Sequence, residues 1–157
     1  MNNLVFVDCE ATGACPAVGR LTEFGAVLFS DKSFFYGDLR GVPAAAETMQ
    51  GVFADFSAWL AASVKGRPIF VSDNPAFDWQ WINDGFWRTL GRNPFGHSAR
   101  RISDFYAGLR GDFRKTQEWK QWRKTPHTHN PVDDAMGNVE AFQKMLEELN
   151  AGAKDSL

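Results

Sequence analysis

Leu4, Val5, Phe6 and Val7 form an unbroken apolar run that ends on Asp8 and Glu10. A half-exposed strand would alternate apolar and polar residues; a continuous run belongs to a strand covered on both faces. That places the first strand in the middle of a sheet with helices on either side. The rest of the chain agrees with this placement. Residues 20–30 read as a second strand and 33–39 as a third, with Asp31 and Lys32 as the two-residue turn between them. Residues 44–64 have helical spacing, with Met49, Phe53, Phe56 and Leu60 on one stripe. Residues 68–72 form a short buried strand, and 75–90 a helix that Gly91 stops. Arg101 and Ile102 suggest a short fifth strand before a helical turn at 104–109, and 131–149 a long C-terminal helix. A hairpin followed by alternating helices and strands predicts an α/β fold: a mixed central sheet of about five strands flanked by helices. The 157 residues suit one domain, expected over 1–150, with 151–157 as a disordered tail.

Composition narrows the function classes. A net charge of −2 argues against a protein coated in positive charge, yet leaves nucleic acid open where cations or a local basic patch supply the field. No apolar run approaches the roughly 18 residues of a membrane span, so no membrane partner is expected. Cys9 and Cys15 lie in no metal-ligand pattern and read as free thiols of a cytoplasmic protein. The 14 Phe and six Trp serve either packing or base stacking.

The chemistry gathers in three short motifs. In VFVDCEATG, Asp8 and Glu10 are two apart on a strand, so both carboxylates face the same way. A bare Asp-x-Glu recurs by chance and also suits a solvated strand end. Leaving a buried strand together, however, the two would repel unless a cation neutralised them. In SDNPAFD, Asn74 precedes Pro75, which suits a capping residue followed by proline at the first helical position; Asp78 then lies one turn in. HNPVDDA repeats the arrangement, with Asn130, Pro131 and Asp134, and with His129 on the entering loop. Asp133 points about 100° away and reads as a partner of the helix dipole. A first-turn Asp is common and a lone His is commonly surface or core. Jointly, four acidic residues and a His occur at mouths of strands and helices, which converge at one edge of an α/β sheet. Four carboxylates in one place need metal.

With these motifs the chain resembles the DEDDh, DnaQ-like 3′–5′ exonucleases of the ribonuclease H-like fold, over nearly its whole length from about Leu4 to Met145. RLTEFGAVL is similar to that family's second strand. The compact size is similar to stand-alone exoribonucleases of bacteria and phage, which inclines the expected substrate toward RNA. The resemblance implies hydrolysis of single-stranded RNA or DNA from the 3′ end, releasing nucleoside monophosphates with two divalent cations, Mg²⁺ or Mn²⁺. It implies Asp8 bridging both cations, Glu10 and Asp134 completing one site, Asp78 holding the other, and His129 as general base. Ala11, Thr12 and Gly13 would meet the terminal nucleotide. Asn74 would orient the second motif, and Glu23 would stand behind the ligands. Many relatives pair, so a homodimer is carried as an expectation. Three departures stand out: Pro131 where Ala is usual, Asp73 where His is common, and a segment, 110–124, without a counterpart.

That segment opens a stretch, 110–129, with six basic residues against two acidic ones. It reads either as a basic, stacking wall for a single strand or as a solvated face whose Trp119 and Trp122 pack on the core or a second subunit. Trp79 and Trp81 read as core or interface. His127, two residues before His129, is expected to reach the metal centre less directly. Two other functions stay open: a catalytically silent nucleic-acid-binding module of the same fold, and a small-nucleotide phosphodiesterase or phosphatase.

Overall fold

In the computed structural model, residues 1–43 and 45–154 are described. Five strands, β1 (Leu4–Ala11), β2 (Leu21–Leu28), β3 (Phe34–Asp38), β4 (Ile69–Ser72) and β5 (Ala99–Arg101), form one sheet in the order β3-β2-β1-β4-β5. β1–β2 and β2–β3 are antiparallel, whereas β1–β4 and β4–β5 are parallel. The apolar β1 is therefore central, as its lack of alternation predicts. The helices are α1 (Ala46–Ser63), α2 (Pro75–Leu90), α3 (Ile102–Leu109) and α4 (Pro131–Lys154), with a 3₁₀ turn at Glu118–Trp122.

Boundaries shift in two places. Arg101 is the last residue of β5 rather than the first, because pairing with β4 starts at Ala99 and Ile102 already turns into α3. α4 continues five residues beyond Leu149, through 151–154 where a tail was expected. Residues 155–157, and the expected helix start at Ala44, lie outside the described residues.

Alternation along β1 sorts the two cores. Val5, Val7 and Cys9 pack toward α1 and α2, with Phe24, Phe53, Phe56, Phe70, Trp81 and Phe86. Phe6 faces α3 and α4, with Val27, Val71, Ile102, Val139, Phe142 and Trp119. Most of the aromatic surplus is thus packing: Phe56 alone neighbours the rings of Phe24, Phe35, Phe86 and Phe95 at 5.0–6.1 Å. By the same period of two, Asp8 and Glu10 share the face of Phe6, toward α4, and run past the end of the apolar core.

One close contact sets α4 over them. Gly25 pairs with Asp8 across β1–β2, and a Cβ there would lie 2.4 Å from the carbonyl of Pro131 and the amide of Val132. The first turn of α4, which carries Asp134, therefore rests directly on β2 backbone. Gly25→Ala should force that turn off the sheet and cost about 1–3 kcal/mol, lowering the melting temperature by roughly 2–4 °C per kcal/mol. A variant that melts with the wild type in a calorimetric scan would show that the contact gives way freely.

Candidate active site

Each motif is placed by backbone chemistry. β1 pairs with β4 only through Phe6–Val71, which frees later β1 amides on that side. The Cys9 amide donates to Asp78 Oδ1 at 3.0 Å, and Asp78 Oδ2 accepts the Ser72 hydroxyl. Asp78 thereby ties the start of α2 to the end of β1, with only 3% of it exposed. Pro75 opens α2 as expected, but Asn74 makes no side-chain cap. Its own amide instead donates to Ser72 Oγ at 2.9 Å, which holds the β4–α2 turn.

At α4 the expected cap is made: Asn130 Oδ1 accepts the amides of Val132 (3.0 Å) and Asp133 (3.3 Å). Just before it, the Thr128 amide donates to Asp134 Oδ1 at 3.1 Å and the Thr128 hydroxyl to Asp133 Oδ2. Asp133 therefore holds the entering loop. His129 adopts φ of 60°, a left-handed conformation rare for a residue with a side chain. The folded-back loop brings both imidazoles to the site, with ring centroids 4.5 Å apart. His129 Nδ1 lies 3.7 Å from Glu10 Oε1. His127 does not sit farther out, as expected, but places Nδ1 2.7 Å from Asp134 Oδ2. The bonds of Thr128 to Asp133 and Asp134 reverse the chain between the two histidines, which linear distance along the loop cannot show.

The carboxylates form two groups that share one member. Ligand atoms of Asp8, Glu10 and Asp134 lie within 4.8 Å of one another, as do those of Asp8, Asp73 and Asp78. His127, His129 and Asp134 form a third such group. Crowding and burial push protons onto Asp8, Asp78 and Glu10. Asp8 is raised to about 9, first by burial and then by the charges of Asp78 and Asp134. Asp78 is raised to about 7 by burial, against the opposing bond from Ser72. Glu10 is raised by burial, with His129 opposing. Burial pushes the Cys9 thiol well up, which keeps it protonated. Asp134 Oδ2 is buried and accepts no hydrogen bond. Hard oxygen donors, mutual repulsion and an orphaned carboxylate oxygen together fit divalent cations.

Beside these groups lies an open cavity of about 430 Å³ whose walls include Asp8, Glu10, Asp78, Asn74, Phe77, His127 and His129. Ala11, Thr12 and Gly13 are not in its walls. Thr12 is bonded to Arg20 through both amide and hydroxyl, and Gly13 packs against the backbone of Gly19. Glu23, opposite Glu10 in register, bonds the Tyr36 hydroxyl and lies 3.6 Å from Arg40.

Sequence reasoning missed the wall residues Asp73, Phe77, Arg101 and Gln117. Asp73 carried a signal, as the unusual neighbour of Asn74. Arg101 and Gln117 carried none, since they reach the cavity only through the placement of β5 and the 3₁₀ turn. Of the two readings of 110–129, the tryptophans follow the packing one rather than the stacking wall. Trp119 is fully buried in the core against α4, its indole donating to Thr116 O at 2.8 Å, and Trp122 packs edge-on against Tyr106. Large rings leave water before they meet a substrate. Trp81 is core and Trp79 packs against it, as expected.

A central β1 bearing acids at its end, with helices contributing more from both faces, defines a ribonuclease H-like fold. The solved complex of Escherichia coli ExoI with single-stranded DNA, in a zinc-bound form, superposes with a TM-score of 0.52 at 19% identity, covering 91% of this chain and 39% of that one. In sequence, the chain is 28% identical to the 3′–5′ DNA exonuclease Cap18 of Escherichia coli over 182 aligned positions, covering 96% of this chain and 94% of that protein. No family model matches the chain. Together these likenesses show a ribonuclease H-like fold and a sequence similar to that of a 3′–5′ DNA exonuclease. Among the described residues, no helix is long and apolar enough to cross a membrane.

Proposed function

We propose that the cleft takes the 3′ end of single-stranded DNA and hydrolyses its terminal phosphodiester bonds, releasing nucleoside monophosphates. The observation that carries this is the pair of three-carboxylate groups sharing Asp8, which is what a two-cation phosphodiesterase requires. Both relatives are named for DNA, and neither supports the inclination toward RNA drawn from chain size.

Asp8, Glu10 and Asp134 would hold one Mg²⁺ or Mn²⁺, and Asp8 with Asp78 the other. Cations bound there would neutralise charge on the phosphate and make water a nucleophile near neutral pH. Ser72 and the Cys9 amide hold Asp78 in place, and Thr128 holds Asp134. His129, with 76% of its side chain exposed, would take a proton from an entering water; the resemblance supports it as the general base, on its spacing of five from Asp134. Asn74 stands in the cleft wall, while Ala11, Thr12 and Gly13 would need the strand to approach along the end of β1. The free thiols support a cytoplasmic enzyme.

The test is digestion of 5′-labelled single-stranded DNA and RNA of one sequence, beside a circular single strand and p-nitrophenyl phosphate. Expected is a ladder shortening from the 3′ end with Mg²⁺ or Mn²⁺, faster on DNA, with the circle intact and the ester inert. Rapid cutting of the circle would mean an endonuclease, ester hydrolysis a phosphatase, and binding without cleavage a silent module.

A further inference from the structure

The basic segment resolves into residues with different jobs. Arg110 pairs with Glu148 and lies over Tyr106 and Trp122. Arg114 folds onto Asp112 in solvent. Arg123, with only 10% of its side chain exposed, bonds Asn138 and reaches Asp73 Oδ2 at 3.4 Å. Lys120 differs from these: it stands in the wall of the acidic cavity with Asp8, Glu10 and Asp78.

Its position comes from the 3₁₀ turn. Trp119 anchors that turn by burying its ring and donating its indole N–H to Thr116 O and to Ser103 Oγ. The next residue is then turned toward the cleft. Lys120 Nζ lies 3.3 Å from Asp73 Oδ2, with 40% of the side chain exposed. Arg123 reaches the same oxygen. Two cations thus share one carboxylate, one positive charge more than Asp73 can neutralise. If Lys120 leaves, Asp73 keeps Arg123 and is not left a lone buried charge. The lysine that can leave is the one facing the cavity.

Resting on the exonuclease reading above, we propose that Lys120 is a substrate-positioning residue that exchanges its contact with Asp73 for a backbone phosphate of the single strand lying in the cleft. A flexible ammonium suits such a point contact, and the surplus charge offsets the field of the carboxylates, which would otherwise repel a polyanion.

The test measures kcat and KM on a 5′-labelled single-stranded DNA oligonucleotide with Mg²⁺ across a series of salt concentrations. Lys120→Gln should lower kcat/KM roughly tenfold, mainly through KM. Each phosphate contact on a single strand contributes about −0.7 to the slope of log affinity against log salt, so the salt dependence should weaken by about that amount. Lys120→Arg should recover most of the loss. Lys115→Gln, the same charge change on an exposed neighbour outside the cavity walls, should leave slope and KM unchanged. Melting of Lys120→Gln should track the wild type, because Arg123 remains on Asp73. A wild-type enzyme that cleaves while Lys120→Gln keeps its KM and full salt slope overturns the assignment. A wild-type protein that neither binds nor cleaves the oligonucleotide overturns the exonuclease reading itself, and the proposal with it.

Discussion

Asp8→Asn should abolish cleavage and at the same time stabilise the metal-free protein. Asp8 belongs to both three-carboxylate groups, so its loss removes a ligand from two cation sites at once. The expected fall in kcat/KM is about 10⁴-fold or more, or about 5.5 kcal/mol of transition-state stabilisation. Stability should move the other way. In the folded chain Asp8 is raised to about 9 and Asp78 to about 7, whereas unfolded carboxyls titrate near 4. Between these values the folded state binds more protons than the unfolded one, so metal-free stability falls as pH rises from about 4 through about 9. The contribution is present at acid pH and lost at alkaline pH. In EDTA at pH 8, Asp8→Asn should therefore raise the melting temperature by roughly 4–8 °C, the yield of about 2 kcal/mol in a chain of this size. Mn²⁺ should do the same for the wild type, since binding at 100 times Kd contributes about 2.7 kcal/mol, and should do little for the variant. Thermal scans across pH with and without Mn²⁺ measure all of this; a wild-type melting temperature in EDTA that climbs steadily from pH 5 to 9 would refute the crowding account.

The second large effect separates the histidines. A general base contributes about 10²–10⁴-fold in rate, so His129→Ala should lower kcat by that order at saturating substrate, with Mn²⁺ affinity nearly unchanged. His127→Ala should cost much less in kcat. His127 Nδ1 lies 2.7 Å from Asp134 Oδ2, and a cation using that oxygen must displace it, so Mn²⁺ affinity should be unchanged or tighter. Saturation kinetics beside calorimetric Mn²⁺ titration of both variants decide the matter. If His127→Ala proves the severe one, the proton acceptor is the imidazole already on Asp134, and the spacing of five from Asp134 does not mark the base in this chain.

Much of this was legible along the chain because it depends on local rules. An apolar run without alternation made β1 central. The period of two put Asp8 and Glu10 on one face, and Asn-Pro at Asn130 set the frame of α4 and hence of Asp134. At Asn74 the same dipeptide set the helix frame but not the cap: the Phe77 and Asp78 amides bond the Asn74 backbone carbonyl, and its side chain makes no cap. The aromatic count was readable as packing, yet which ring was buried was not. Trp119 stood in a polar segment and still entered the core, where its ring has apolar neighbours and its indole N–H two acceptors.

By itself the sequence determined the order of elements, the mixed sheet and four carboxylates at element ends, since strand period, proline geometry and helix lean all act within a few residues. Only the tertiary structure decided which side chains from distant segments share space. Asp73 joining Asp8, and Lys120 reaching the cleft from a segment over 40 residues downstream of Asp73, are contacts across the fold, and His127 meets Asp134 only because the loop between them folds back. Such contacts are set by how helices rest on the sheet, and that is fixed by close approaches such as Gly25 under Pro131, which no local pattern encodes.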